Sequence, residues 1–84
     1  MIFHFVPRKG FCITYETGPE ELPLVMIGDG SPLLIEEVIL SGNPIRIPQS
    51  YFVPAHRAFA TAMNFMESGI PLDSHTWVVF DPKY

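Results

Sequence analysis

With 84 residues the chain has room for one domain, residues 1–84, and a domain this small buries only about 60–65% of the surface its unfolded form exposes. At 48% hydrophobic and 13% aromatic it can close around a core despite nine prolines, which excludes a disordered chain. A net charge of −4, with five Lys and Arg scattered along the sequence, supplies no basic stripe for direct nucleic-acid binding, and the lone Cys12 excludes a disulfide framework or a cysteine-based zinc site.

Residues 1–6 read as a short strand, with Phe3 and Phe5 on one face and Ile2, His4 and Val6 on the other. The start "MIFHFVPRKG" has no basic leader and too short an apolar run for a signal peptide. No segment approaches the ~20 apolar residues of a membrane span, so a cytoplasmic protein without a membrane partner is expected. Pro7-Arg8-Lys9-Gly10 has the residues of a turn. Residues 11–15 alternate again, Phe11, Ile13 and Tyr15 against Cys12 and Thr14, completing a hairpin. After the polar loop "ETGPEELP", the continuous apolar run 24–27 predicts a central strand, and "GDGSP" stops it. Residues 33–40, "LLIEEVIL", are ambiguous between strand and helix. The "SGNP" turn and the alternating "IRI" at 45–47 favour a second hairpin.

"SYFVPAHRAFATAMNFMESGIP", residues 50–71, is the one clear helix. Pro54 suits its first turn, and Gly69 followed by Pro71 ends it. At 100° per residue, Phe65, Ala58, Ala62, Ala55, Met66, Phe59 and Met63 fill an arc of about 160°. Asn64, Arg57, Ser68, Thr61 and Glu67 lie opposite, with His56 at the border. An arc this wide predicts a helix laid on a sheet with the stripe as core, in preference to a partner-binding groove. Residues 76–80, "TWVVF", make a last strand whose Trp77 reads as core, with a partner anchor as the alternative. The fold class is therefore α+β: a mostly antiparallel sheet of about five to six short strands, one helix in the C-terminal half packed on one face, then a final strand.

Chemistry is sparse. The spacing of His4, His56 and His75 matches no metal motif. Cys12 with a histidine is the only nucleophile pair worth naming, and nothing in its sequence neighbourhood lowers a thiol pKa, so a buried structural cysteine is favoured. "IGDGSP" is superficially like a phosphate loop but lacks its lysine. An Asp-Gly turn explains it better, with Asp29 bonding its own backbone and Gly30 at positive φ. Glu36 and Glu37, adjacent in a strand, point to opposite faces. With Glu20 and Glu21 they read as a solvated edge, or else as an acidic patch for a basic partner. No cofactor, no metal and no catalytic residue is expected. So much apolar material in so small a chain points to a face covered by a partner or by a second copy.

The order and spacing of these features resemble a known family. "YFVPAHRAFATAMNFMESGIPLDSHTWVVF" is similar to the end of the bacterial polymorphic-toxin immunity proteins of Imm family 1. Ala58, Ala62 and Phe65 match its helix, Gly69 and Pro71 its turn, and Trp77 its strand. Upstream, "VMIGDG" matches a strand ending in Gly28 and Asp29. The resemblance covers residues 11–80, of a member short at its N-terminus. It implies a non-enzymatic inhibitor that binds a cognate toxin domain, often a nucleic-acid deaminase, and blocks its active-site cleft. On that reading Asp29, Glu36 and Glu37 stand in for phosphates in the toxin's basic groove, and Tyr15 and Tyr51 act as aromatic anchors. The alternative is a small self-associating structural or accessory subunit, such as a homodimer.

Overall fold

The computed structural model describes residues 1–16, 18–69 and 77–81. Among them the elements run β1 (Ile2–Val6), β2 (Gly10–Tyr15), β3 (Leu24–Met26), β4 (Ile35–Leu40), β5 (Asn43–Pro48), α1 (Ala55–Ser68) and β6 (Trp77–Val79). One turn of 3-10 helix, Gln49–Tyr51, precedes α1. The α+β class, the antiparallel pairing, the late helix and the closing strand all agree with the expectation. The strands divide between a four-stranded sheet, ordered β1-β2-β3-β6, and the separate β4–β5 hairpin.

Local chemistry sets both hairpins. Lys9 N donates to Val6 O at 3.0 Å, and Arg8 at φ 69° takes the left-handed conformation required at the third position of a type II turn. Pro7 pre-sets the position before it. β4 and β5 join through Ser41 at φ 52° and Gly42 at φ 82°, both positive, as a two-residue type I′ turn demands.

Alternation then decides the layers. Phe3 and Phe5 pair with Ile13 and Phe11 on one face of the sheet, while Ile2 and His4 pair with Thr14 and Cys12 on the other. On the second face Val6, Cys12 and Val25 pack with Val38, Leu40 and Ile47 from the hairpin, and with Tyr51 and Phe52. On the first, Ile13, Met26 and Trp77 pack with Val53 and with Ala58 of α1. The sheet is thus covered by the hairpin on one side and by the helix on the other, so β3 reads as an unbroken apolar run. Trp77 is core, as expected.

A tight backbone crossing carries the chain from hairpin to helix. Phe11 and Val53 exchange N–H···O bonds of 2.9 and 2.8 Å, and Gly28 N donates to Ser50 O at 2.7 Å. At Gly28 the crossing leaves no room for a side chain. A Cβ at Gly28 would lie 2.0 Å from Phe52 O. Gly30 departs from the expectation, since it is not among the residues at positive φ. It is confined instead by proximity, because a Cβ there would lie 2.6 Å from Gln49 O. Nor does Asp29 bond the loop backbone. Ser31 does so: its Oγ accepts from Leu33 N at 3.1 Å, and its own N–H donates to Gln49 Oε1 at 3.0 Å.

Pro54 stands at the start of α1, its carbonyl accepting from Arg57 N and Ala58 N at 3.1 and 3.0 Å. Gly69 ends the helix at φ 74°, its N–H bonding Phe65 O at 2.7 Å. Pro71, His75 and Thr76 lie outside the described residues.

The helix corrects one expectation. Its apolar stripe is only partly core. Ala58 and Thr61 are buried, Ala62 and Phe65 are half-buried, and Phe59, Met63 and Met66 are exposed. The buried set follows i, i+3, i+4, i+7 spacing, a strip narrower than the arc and turned to one edge of it. Thr61 can join the strip because its hydroxyl is satisfied, donating to Arg57 O at 2.8 Å, with Met26 Sδ 3.3 Å away. One helix over a narrow sheet cannot cover the rest of the arc.

Candidate partner-binding surfaces

Two apolar surfaces result, on opposite sides of the sheet. The first is the outer side of the hairpin. Period-two alternation sends Val38 and Leu40 inward and leaves Ile35, Glu37 and Ile39 facing out. Leu33, 86% exposed, and Leu34 precede this row. Across the hairpin, Ile39 is opposite Pro44 and Glu37 is opposite Arg46, so the row is apolar with one charge pair at its centre. Its inner side is anchored in the core through Val38, Leu40 and Ile47.

The second surface is an open cleft of about 640 Å³ between the sheet and the helix, with Ala55, Ala58 and Ala62 along the helix and Phe3, Phe11, His56 and Phe59 around them. Phe5 continues it, its ring 5.4 Å from that of Phe11. Phe59 is 70% exposed and stands beside the alanines, with Met63 and Met66 following along the helix.

The residues singled out in the sequence scatter over this frame. Asp29 is exposed at its loop tip. Glu36 is half-buried on the inner side of β4 and forms an ion pair with Lys9 of the β1–β2 turn. Glu37 is exposed on the outer side. The three carboxylates therefore do not form one acidic patch: neighbouring strand residues face opposite ways, and Glu36 is already neutralised. Tyr51 is no anchor for a partner either. It is 5% exposed; its hydroxyl donates to Val79 O at 3.4 Å and accepts from Asp81 N at 3.1 Å, and its ring lies against Phe80. Tyr51 thus fastens the last strand. Tyr15 is half-buried, its ring edge-on to Phe65 at 5.8 Å and to Trp77 at 6.3 Å.

The exposed Leu33 and Leu34, and Ile35 and Ile39 of β4, lie in the stretch that was ambiguous between strand and helix in the sequence. Alternation alone could not have found them, because the outward row Ile35, Glu37, Ile39 and the inward row Glu36, Val38, Leu40 each hold two aliphatic residues and one glutamate.

Cys12 has no exposed surface, and burial pushes its thiol up to about 12, so no useful thiolate forms near neutral pH. His4 is half-buried beside it on the sheet, opposite Cys12 in register, and burial lowers its pKa. Among the described residues, no three His, Cys, Asp or Glu side chains are grouped to hold a metal ion, and no helix is long and apolar enough to cross a membrane. No family model, no curated protein and no solved structure matches this chain.

Proposed function

We propose that this chain is a non-enzymatic immunity protein that binds a toxin domain and occludes its active-site cleft, using the outer side of the β4–β5 hairpin. The observation that supports the reading is the row Ile35, Glu37 and Ile39, preceded by Leu33 and Leu34. These are large aliphatic side chains held exposed on a hairpin whose other side is locked in the core. Desolvating such side chains in a partner's cleft supplies affinity, and a rigid backbone limits the ordering entropy lost on binding. Glu37 and the net charge of −4 suit a partner with a basic groove, as a nucleic-acid deaminase must have. Charge of this kind mainly speeds association. Aliphatic contact, rather than a set of three carboxylates, is the main source of affinity in this reading.

The test is affinity capture from lysate of the source cells, with wild-type protein and an Ile35→Asp/Ile39→Asp variant as parallel baits. Wild type should retain a stoichiometric partner whose toxic activity it blocks, and the variant should lose it while keeping its circular dichroism spectrum. Equal capture by both baits, or a partner whose activity is untouched, would refute the reading.

A further inference from the structure

We propose that the cavity between the β3–β4 loop, the 3-10 turn and β6 binds a small uncharged molecule with a compact apolar body and one hydrogen-bonding group, such as an aromatic amide. The cavity measures about 550 Å³, within the ~300–1,000 Å³ of small-molecule sites. Pro48, Ser50 and Tyr51 form its buried floor, and Pro32 and Val78 stand exposed at its mouth. Backbone bonds hold the floor on both sides of Ser50. Ser50 O accepts from Gly28 N at 2.7 Å, Ser50 N donates to Ser31 O at 3.2 Å, and Gln49 N donates to Leu34 O at 2.7 Å. A site fixed in this way loses little ordering entropy when it is filled.

Ser50 selects the chemistry of the ligand. It is 4% exposed, and the little surface it keeps opens onto this cavity. Among the described residues its hydroxyl has no hydrogen-bond partner. The Tyr51 hydroxyl is committed to Val79 O and Asp81 N, so Tyr51 offers only its ring. A pure hydrocarbon would seal the Ser50 oxygen away from water with nothing to bond, leaving an unsatisfied buried group. A ligand carbonyl or amide removes that penalty, because a hydroxyl both donates and accepts. Charge is disfavoured. None of the described residues lining the cavity is charged, so an ion would be desolvated there without a counter-charge. Asp29, exposed at the loop tip beside the mouth, further opposes anions. The pyrrolidine rings, the Tyr51 ring and Ile27 supply apolar walls for the body of the ligand. Unlike the larger cleft beside α1, this cavity sets a buried polar group against such walls. The site needs no partner protein, so it does not depend on the function proposed above.

Titration of the full chain with benzamide, followed by backbone amide NMR shifts, decides the matter. Wild type should show saturable shifts centred on Gly28, Gly30, Ser50 and Val78, with a Kd on the order of 1 mM, as a fragment of this size reaches. Toluene, which keeps the ring without the amide, and benzoate, which carries a charge, should each bind at least ~5-fold more weakly. Ser50→Ala removes an oxygen that bonds nothing among the described residues, so the circular dichroism spectrum should not change. That variant should bind benzamide about 5-fold more weakly and toluene no more weakly than wild type does. Wild type without saturable shifts at these residues, toluene or benzoate binding as tightly as benzamide, or a Ser50→Ala variant that binds benzamide as tightly as wild type, overturns the proposal.

Discussion

Cys12 holds its proton in the folded protein up to about pH 12, whereas an ordinary thiol with a pKa of 9.0 releases it sooner. A group whose folded pKa is raised contributes stability that is fully present below the unfolded value and is lost as pH rises through the window. Stability should therefore fall between pH 9 and 12 by about 1.4 kcal/mol per unit from this group alone. Urea unfolding on either side of pH 9 measures it, and Cys12→Ala should flatten the slope. The thiol should also resist modification until the chain unfolds. His4 acts at the other end of the scale. Burial lowers its folded pKa below 6.5, so its contribution is present above that value and is lost as pH falls beneath it. His4→Gln should reduce the acid sensitivity seen in the same unfolding series. Glycines separate by a different physics. Gly28→Ala places a methyl against Phe52 O and should cost on the order of 3 kcal/mol or more, read as a lower thermal midpoint. Gly69→Ala meets nothing within 4 Å and should cost only about 1 kcal/mol, for its positive φ.

At the scale of elements, Tyr51 couples the 3-10 turn to the end of the sheet. Tyr51→Phe keeps the ring against Phe80 but removes the bonds to Val79 O and Asp81 N. It should cost about 1–2 kcal/mol, and amide exchange in β6 and β3 should speed up more than in the β4–β5 hairpin. Elements were the most legible part of this chain, because alternation and turn chemistry are local. Pro7, Ser41-Gly42 and Gly69 announce where hairpins turn and where the helix ends. Burial was less legible, because it depends on how wide a strip a neighbour can cover. The helix shows this best: its arc of apolar residues was plain, yet the sheet takes only one edge of it, and Thr61 goes in while Phe59 stays out. A back-bonded threonine behaves as a small apolar residue, which a polar-versus-apolar count misses. Tyr51 failed for a related reason. An aromatic ring with a polar tip is equally suited to an interface and to a core that offers a backbone carbonyl. Glu36 and Glu37 were correctly placed on opposite faces, but the ion pair with Lys9 joins residues far apart in sequence and could not be read from either strand.

Across the whole molecule, the three layers leave two apolar surfaces back to back. The proposed function uses the hairpin's outer row and leaves the α1 face free, so substitutions on one surface do not touch the other. Charge reversal at Glu37 should slow association with a basic partner and reduce its salt dependence, with a smaller effect on dissociation, as stopped-flow or surface-binding kinetics would show. Reversal at Glu36 should act differently, lowering stability through the lost Lys9 pair while leaving the outer face intact. The decisive experiment is a titration of the captured partner's activity with this protein. A stoichiometric blocker predicts a linear fall to zero at one equivalent, reversed when Ile35→Asp/Ile39→Asp is used instead. Complete loss of activity at a small fraction of an equivalent would mean that the protein turns over, and activity unchanged at excess would mean that it does not block the partner at all.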